Sequence, residues 1–458
     1  MTSLRHSLES PASMEQSRTG KGKNLALFFL VLALLLRLSV LVIAYSHPER
    51  TLTNDSPSYI EPAQYVLRDA AYTHPSALRT PVYPLFLAVI YGLFGENQFY
   101  VVLAQVLLGM LTLYLTSKLS NELFPARRNL AGILFLAWGL ESILSPFYVM
   151  TETLFTFLLV CTLLAVLAYF RSSKYSWLVV CGALSGLAIL CRPIAVYFPG
   201  MILLLLLWEH RQKLAGWLKA GTLYVSVVLF IVVPWVVRND RVVGTPVVST
   251  ITGDSLLFYS ANALVAHQQG VGFFDAQKTM YSALDQALSD AGLPNTERNR
   301  YNMEMSMARQ IILQAPVTYL YVHVRDSLKV FLPGTASLRD ALGQTDQGAD
   351  LWDLLQTQGL SPALTEYFRQ THGLQLLLIP FVLLLFATCS GGLLGAIVLL
   401  KRKQWFALMV LFLPVVYLVI FSGPGAYSRF RIPLMPFLSV LAGIGLGSIE
   451  EKYREKFK

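Results

Sequence analysis

The sequence predicts an all-α polytopic membrane protein with about ten transmembrane helices, and three observations support this fold class. Of the 458 residues, 55% are hydrophobic and only 14% are charged, whereas a soluble domain is about one quarter charged. Apolar runs of about 20 residues recur along the chain, which is the length that crosses a bilayer as a helix. Lysine and arginine concentrate in particular segments between these runs, as they do in cytoplasmic loops.

Charge and cysteine usage narrow the function classes. A formal net charge of +9 is modest for this length, and basic residues in membrane proteins first encode topology, so no nucleic-acid partner is indicated. The four cysteines, Cys161, Cys181, Cys191 and Cys389, all lie in apolar runs. Their spacing indicates neither a disulfide framework nor a metal motif.

The first 95 residues decide the predicted topology. Residues 25–45 are too long for the hydrophobic part of a signal peptide, so we interpret them as a retained span after a cytoplasmic tail at 1–24. The apolar piece at 82–95 is marginal in length for crossing the membrane. If it crossed, the basic segments at 123–129 and 171–174 would lie outside. The positive-inside rule therefore favours a re-entrant or interfacial helix at 82–95.

The remaining runs predict nine further spans and one long external segment. Residues 238–373 exceed a connecting loop and are expected to fold. Within them, residues 307–334 predict an amphipathic helix pair on the outer membrane face, broken at Pro316. The predicted spans are about 99–119, 130–149, 153–170, 176–191, 194–208, 219–237, 374–400, 405–421 and 432–449. The predicted domains are a cytoplasmic tail at 1–24, a transmembrane catalytic module at 25–237 with an external loop at 46–98, the external segment at 238–373, C-terminal transmembrane helices at 374–449 and a cytoplasmic tail at 450–458.

This topology gathers acids and arginines on the external face. Planar guanidinium groups bind phosphate oxygens in pairs, so the set suits an anionic lipid headgroup. Each residue also has a structural interpretation: Asp55 could cap a helix beginning at Pro57, Glu152 could favour a helix N-terminus, and any arginine could anchor a span end. The gathered residues are Asp55, Glu61, Arg79, Glu152, Arg192, Arg238, Arg429 and Arg431.

Six segments along the chain together resemble a known family. They are "NDSPSY", "RTPVYPLFLAVIYGLFG", "MTETLF", "GLAILCRPIAVYFPG", "PWVVRNDRVVGTPVVSTITGDSLLFYSAN" and "YSRFRIPLMPFLSVLAG". In their order and one-sided placement they resemble the bacterial GT-C membrane glycosyltransferases of the family 39 type, related to protein O-mannosyltransferases and lipid A aminoarabinose transferases. Many relatives carry two adjacent acids in the first loop, whereas here Ser56 follows Asp55 and the next acid is Glu61. The large luminal carbohydrate domain of the mannosyltransferase subgroup is also absent from the sequence.

The resemblance implies a GT-C enzyme of the cytoplasmic (inner) membrane with its active site on the external or periplasmic side. It would transfer a sugar from a polyprenyl-phosphate donor to a glycolipid, glycan or protein acceptor, with inversion. Its partners would be the lipid-linked donor, the acceptor and membrane lipids. The metal requirement stays open at this stage, with Mg²⁺ or Mn²⁺ as the candidate divalent cation.

Roles follow from the resemblance residue by residue. Asp55 matches the first-loop acid and is the predicted general base, and Glu152 is a second acid that orients it, the acceptor or a metal. The predicted contacts of the donor phosphate are Arg79, Arg429, Arg431 and Arg192, with the acceptor as the alternative partner of Arg429 and Arg431. Tyr59 and Tyr83 are predicted to line the sugar subsite.

Other functions also fit a polytopic chain with charged residues. A secondary transporter or lipid or oligosaccharide flippase would explain many spans, although such proteins often show internal repeats and sites near the bilayer midplane. A polysaccharide ligase or polymerase would also use external arginines. The first-loop acid separates the transferase from the ligase, because only the transferase is expected to depend on Asp55.

Overall fold

The computed structural model describes residues 20–125, 129–333 and 374–456, with isolated positions between 354 and 369. Within these residues the chain is 84% helical and has no strand. The predicted cytoplasmic tail at 1–24 falls largely outside the described residues, as does most of 334–373. The all-α prediction is confirmed.

The described ranges contain eighteen α-helices of four or more residues; the 3₁₀ helices and one π-helical turn are not counted among them. In chain order they are α1 Gly20–Ser46, α2 Pro57–Asp69, α3 Val82–Phe94, α4 Gln98–Leu123, α5 Leu130–Trp138, α6 Leu140–Leu144, α7 Glu152–Ser172, α8 Ser176–Cys191, α9 Phe198–Glu209, α10 Leu214–Val243, α11 Ile251–Asp254, α12 Asn262–Gln269, α13 Phe273–Asp290, α14 Glu297–Gln314, α15 Pro316–Ser327, α16 Leu374–Lys401, α17 Trp405–Ser422 and α18 Met435–Lys456.

Six described helices are long and apolar enough to cross a membrane, and a bent pair, α5 with α6, makes a seventh if it forms one span. The multi-pass architecture is therefore confirmed. Each of the ten predicted spans coincides with a helix or with this bent pair, but α8, α9 and the described part of α1 are shorter apolar helices. Length and composition alone thus support six or seven crossings among the described residues.

The helix α3 has 13 residues and is about 20 Å long, well short of the roughly 30 Å hydrocarbon core. It packs against α2 and α4, and the side chains of Tyr83, Leu87 and Tyr91 are buried. This length agrees with the prediction that the segment at 82–95 lies at the interface or re-enters. The first external loop therefore carries two short helices, α2 and α3.

The bend between α5 and α6 is stabilised by an arginine from the first span. The two helices meet at 62°, and this break frees backbone carbonyls that have no water to bind inside a membrane. Arg37 donates from its Nη1 atom to the carbonyl of Ala137 at 2.7 Å and from its Nη2 atom to that of Ser142 at 3.4 Å. Its side chain is 2% exposed, so Arg37 acts here as an internal cap.

Close helix packing fixes the C-terminal half. The helices α16 and α18 cross through glycines: a side chain at Gly395 would collide with the carbonyl of Leu441, and one at Gly392 with the Leu438 side chain. Such small-residue contacts let backbones approach without the hydrophobic effect. Asn129 ties α5 to the same helix by donating to the Val440 carbonyl at 2.9 Å. The last span is therefore central, and 78% of its most apolar window is buried.

The external segment forms a small helical unit with its own core. Leu257, Phe258, Met280 and Leu284 pack together, and a π-helical turn at Ser255–Ala261 separates α11 from α12. Its start differs from the prediction at residue 238, because α10 continues through that position to Val243. The predicted break at Pro316 coincides with the start of α15, since proline favours the first helical turn.

Candidate active site

Asp55 lies between two arginines that come from opposite ends of the chain. Its Oδ1 atom accepts a hydrogen bond from Nη2 of Arg79 at 2.9 Å, and its Oδ2 atom accepts one from Nη2 of Arg429 at 2.8 Å. The residue before α2 is Ser56, whose hydroxyl donates to the Val149 carbonyl at 3.1 Å, and the cap makes no side-chain bond to the helix. The carboxylate of Asp55 therefore points away from helix capping and into the arginine pair.

The two arginines keep the Asp55 carboxylate ionised. Burial alone would raise the pKa of this carboxyl, but the positive charges of Arg429 and Arg79 and their hydrogen bonds outweigh it and lower the pKa below its ordinary value. The side chain is still 34% exposed, so a substrate hydroxyl can reach it. Asp55 is thus an accessible, charged proton acceptor at neutral pH.

Glu152 brings a second carboxylate to the same place. It is the first residue of α7, follows the N-cap Thr151 and is 2% exposed. Its Oε1 atom lies 2.7 Å from Nη1 of Arg192 and 3.8 Å from Nε of Arg429. Arg429 therefore touches both acids and joins them into one cluster.

We call Asp55, Glu152, Arg79, Arg192 and Arg429 the charged cluster. Three guanidinium groups against two carboxylates leave one net positive charge in a largely buried setting. Buried charges are stable only when paired, so the excess charge favours an anionic ligand. The charged cluster unites five of the residues that the sequence predicted on the external face.

The donor set of the charged cluster does not suit a divalent cation. Each Asp55 oxygen faces a guanidinium group, and Glu152 faces those of Arg192 and Arg429. Mg²⁺ or Mn²⁺ would need these same carboxylate oxygens while sitting beside three positive charges. Among the described residues, no group of three His, Cys, Asp or Glu side chains has metal-binding geometry. No chemical step is therefore assigned to a metal ion at the charged cluster.

Arg79 is held in place by the external segment, which sequence reasoning did not anticipate. Its Nε atom donates to the Ser58 hydroxyl at 2.8 Å. Two residues earlier, the backbone of Ala77 donates to Glu297 at 2.9 Å and accepts from the Thr250 N–H at 3.1 Å. Glu297 also accepts from the Thr250 hydroxyl at 2.6 Å. The loop that carries Arg79 is thus clamped by Thr250 and Glu297 of the external segment.

Arg431 does not belong to the charged cluster, and its predicted contact with the donor phosphate is not supported. Its side chain is fully buried, and Nη1 donates to the carbonyls of Val330 at 2.6 Å and Leu332 at 3.0 Å. Nη2 pairs with Glu141. These contacts give Arg431 a structural role that joins the last span to α6 and to the end of the external segment.

The two predicted substrate-lining tyrosines lie at different depths. Tyr59 is 7% exposed, and its ring lies 4.5 Å from the guanidinium of Arg79, which it orients by a cation–π contact. Tyr83 lies behind it, with ring centroids 5.3 Å apart. Because Tyr83 is fully buried and donates to Gln105 at 2.8 Å, it packs the wall and does not contact a sugar.

An aromatic side chain from the external segment lies against the loop that leads to Arg429. Tyr259 lies in the π-helical turn and contacts Gly425, where any Cβ atom would come within 2.6 Å of the Tyr259 ring. Gly425 lies four residues before Arg429. A π-helical turn often marks a functional position. In the sequence, the one feature that could have pointed to this turn is Gly425, the glycine that Tyr259 contacts.

A second acid pair lies in the external segment. Arg300 contacts both members, with Nε 2.9 Å from Oε1 of Glu304 and Nη2 3.8 Å from Oδ1 of Asp254. Burial, followed by the nearby charge of Asp254, raises the pKa of Glu304 to about 8. The pair therefore retains a proton under conditions in which an ordinary carboxyl group is ionised.

Known proteins resemble this chain in sequence pattern and in fold. A family model described as dolichyl-phosphate-mannose-protein mannosyltransferase matches residues 74–237. The archaeal oligosaccharyltransferase AglB from Archaeoglobus fulgidus, solved with an inhibitory peptide and a dolichol-phosphate, aligns with a TM-score of 0.53 at 13% identity. That alignment covers 95% of this chain. The chain has a GT-C fold. The predicted fold type and family resemblance are confirmed.

Two further solved structures extend the comparison. The same archaeal enzyme tethered to an acceptor peptide containing the NVT sequon has a TM-score of 0.52 at 13% identity, over 94% of this chain and 50% of that one. ArnT from Cupriavidus metallidurans bound to undecaprenyl phosphate is 15% identical over 94% of this chain and 61% of that one, with a TM-score of 0.45. No curated protein matches the sequence. The chain spans about half the length of the oligosaccharyltransferases it matches, 52% for the AglB complex.

Proposed function

We propose that the protein is a polyprenyl-phosphate-dependent glycosyltransferase that works at the external surface of the cytoplasmic membrane. The convergence of Asp55, Glu152 and three arginines from five separate positions along the chain carries this proposal. The GT-C fold and the matching mannosyltransferase family model support it. The acceptor would be a glycolipid, a glycan or a protein.

The net positive charge of the cluster suits the leaving group. When the bond between the anomeric carbon and the phosphate oxygen breaks, the phosphate leaves with the electron pair and gains negative charge. Arg79 and Arg429 would meet that charge, and Arg192 would add to the field in a site poor in water. Their donors are pre-oriented by Tyr59 and the two carboxylates, so little reorganisation accompanies the reaction.

Asp55 would act as the general base. The acceptor hydroxyl attacks the anomeric carbon, a new carbon–oxygen bond forms, and the hydroxyl proton passes to the carboxylate of Asp55. One displacement of this kind inverts the anomeric centre. Glu152 is too buried to receive a substrate proton directly and would instead fix Arg192 and Arg429, which makes it a positioning residue.

Mass spectrometry of lipid-linked sugars tests the proposal in cells. A deletion strain should accumulate the unused polyprenyl-phosphate sugar, and the wild-type gene should clear it. We expect Asp55→Asn to leave the accumulation in place, while Glu61→Gln, a matched change at an exposed acid of the helix α2 that follows Asp55, clears it. Clearance by Asp55→Asn at the wild-type rate would contradict the assignment of the base.

A binding measurement separates the base from the phosphate site. Undecaprenyl phosphate, used as the probe, should bind to purified Asp55→Asn protein, because the arginines remain. It should bind at least tenfold more weakly to Arg429→Gln. Equal binding to wild-type and Arg429→Gln protein would argue against a phosphate site at the charged cluster.

A further inference from the structure

The helix α15 exposes apolar side chains, whereas a helix that faces water exposes polar ones. Its exposed face is apolar at helical spacing, continuing from Leu313 at the end of α14. The exposed fractions are 63% for Leu313, 81% for Val317, 62% for Leu320, 57% for Tyr321, 52% for Val324 and 52% for Leu328. Exposure of such a continuous apolar stripe to water is unfavourable, and patches of this kind mark sites that bind a membrane or another protein.

The polar side chains of α15 point the other way, into the protein. Asp326 and Ser327 are 3% and 2% exposed, and the ring of His323 receives the Tyr319 hydroxyl at 3.0 Å. The Ser327 hydroxyl donates back to the His323 carbonyl at 2.7 Å. The helix is thus inverted relative to the surface helix of a soluble domain, which exposes its polar face.

The inverted helix packs against the end of α17, which is long and apolar enough to cross a membrane. His323 Nε2 lies 2.9 Å from the carbonyl of Ile420, in the last turn of α17. On the outside of that turn, Ile420 and Phe421 are 45% and 44% exposed, and Phe421 stacks with the 63%-exposed Tyr197. The apolar stripe of α15 therefore lies on a helix that contacts the end of a candidate span, where further apolar side chains are exposed.

We propose that α15 binds the surface of the lipid bilayer, with the stripe from Val317 to Leu328 inserted at the boundary between headgroups and acyl chains. A helix with one strongly apolar face and modest overall hydrophobicity lies in this plane. Tyr321 and the neighbouring Arg325 are residue types that anchor such helices, because a ring or a guanidinium group can reach the headgroups.

Binding of α15 to the bilayer would also set the height of Arg429. The nearest part of the loop before Arg429 is the turn Gly423–Gly425, and a Cβ atom at Gly423 would lie 3.0 Å from Cε1 of His323. Lys329 reaches the carbonyl of Pro424 at 3.5 Å from the same side. The membrane surface would thereby position Arg429, the arginine that contacts Asp55. This consequence rests on the proposed function, whereas the contact of α15 with lipid does not.

Depth-dependent fluorescence quenching tests the lipid contact without any activity measurement. Val317→Cys and Val324→Cys, each in the full-length chain with Cys161 and Cys389 replaced by alanine, are labelled with an environment-sensitive nitrobenzoxadiazole dye and placed in nanodiscs of phosphatidylethanolamine and phosphatidylglycerol. Ser282→Cys on the exposed face of α13 is the water control, and Phe230→Cys, exposed at 77% within a span, is the acyl-chain control.

We expect the labels at 317 and 324 to be quenched at least twofold more strongly by lipids spin-labelled near the headgroup than by lipids labelled near the chain end. The label at 230 should show the reverse order, and the label at 282 should respond only to aqueous iodide. Iodide quenching at 317 and 324 equal to that at 282 would overturn the proposal. Shielding from both quenchers would overturn it too, by showing that residues 334–373 or a second copy of the chain cover the stripe.

Discussion

Two arginines two residues apart in one 3₁₀ turn have different surroundings. Arg429 contacts two carboxylates at the charged cluster and is 24% exposed. Arg431 is fully buried and engages Glu141 and two backbone carbonyls. The first shares its charge with an open site, whereas the second uses its donors to join helices. In this protein, an arginine is a candidate ligand contact only where its donors are not already consumed by the backbone.

Asp55→Asn should have the largest effect on activity. The amide keeps the shape and accepts a hydrogen bond but cannot take the acceptor proton, and general-base catalysis contributes about 100-fold to 10,000-fold. We expect transfer to fall by at least about 100-fold, measured as single-turnover release of the lipid phosphate. Thermal unfolding serves as the control, since a large drop in the unfolding temperature would show that the loss reflects folding.

The next change contrasts the two arginines directly. Arg431→Gln leaves the Glu141 carboxylate without its buried partner, and such a loss costs about 3–5 kcal/mol of stability. Arg429→Gln should instead lower transfer by about 100-fold while changing the unfolding temperature less, because it removes stabilisation of the leaving group. Thermal unfolding and transfer are measured on both variants; the opposite ranking would reverse the two roles.

The acid pair in the external segment predicts a dependence of stability on pH. Glu304 has a pKa of about 8 in the folded protein, above its ordinary value of 4.5. The folded state therefore holds this proton more tightly, so stability is greatest below the ordinary pKa and declines as pH rises toward 8. We expect the unfolding temperature of Glu304→Gln to decline less between pH 5.5 and 8 than that of the wild type. Asp285→Asn, at an exposed acid of α13, should behave as the wild type.

Removing the clamp on the Arg79 loop should have a moderate effect. Glu297→Ala deletes two hydrogen bonds, to Ala77 and Thr250, each worth about 1 kcal/mol. We expect transfer to fall by about tenfold, with restoration by Glu297→Gln, whose amide oxygen can accept the same bonds. An equally low rate in both variants would mean that the charge of Glu297, rather than its hydrogen bonds, is needed.

The smallest effect is expected at Glu61, the exposed acid nearest to Asp55 in the sequence. Its side chain is 62% exposed, and its Oε1 atom lies 3.7 Å from Nε2 of His74. Surface pairs of this kind contribute at most about 1 kcal/mol. Glu61→Gln should therefore change transfer by less than about twofold. A large loss would place Glu61 in the chemistry and weaken the distinction between the two first-loop acids.

The sequence was sufficient to predict the helices and that the polar ends of several of them meet. Long apolar runs define the spans, and the distribution of arginine and lysine orients them, so Asp55, Glu152 and Arg429 could be placed together without coordinates. The number of crossings was harder to predict, because α8 and α9 are short and α5 bends at Gly139. Apolar length alone does not distinguish a tilted, broken or partial span.

Side-chain partners could not be predicted to the same extent. Arg429 and Arg431 occupy equivalent positions in "YSRFRIP", and only the packing of α6 and the chain at 330–332 shows which of them is consumed. The roles of Thr250 and Glu297 were missed because they contact backbone atoms more than 170 residues away. Hydrogen bonds of this kind leave no periodicity or motif in the sequence.

The charged cluster also has a consequence for biosynthesis. Asp55 and Arg429 are 374 residues apart, and the last span, which carries Arg429 at its external end, is wedged between α5 and α16 by glycine contacts. The ribosome therefore makes Asp55, Arg79, Glu152 and Arg192 long before their shared partner. Until α18 inserts, the nascent protein holds two acids and two bases without the residue that joins them, so the site can mature only when the final helix reaches its place.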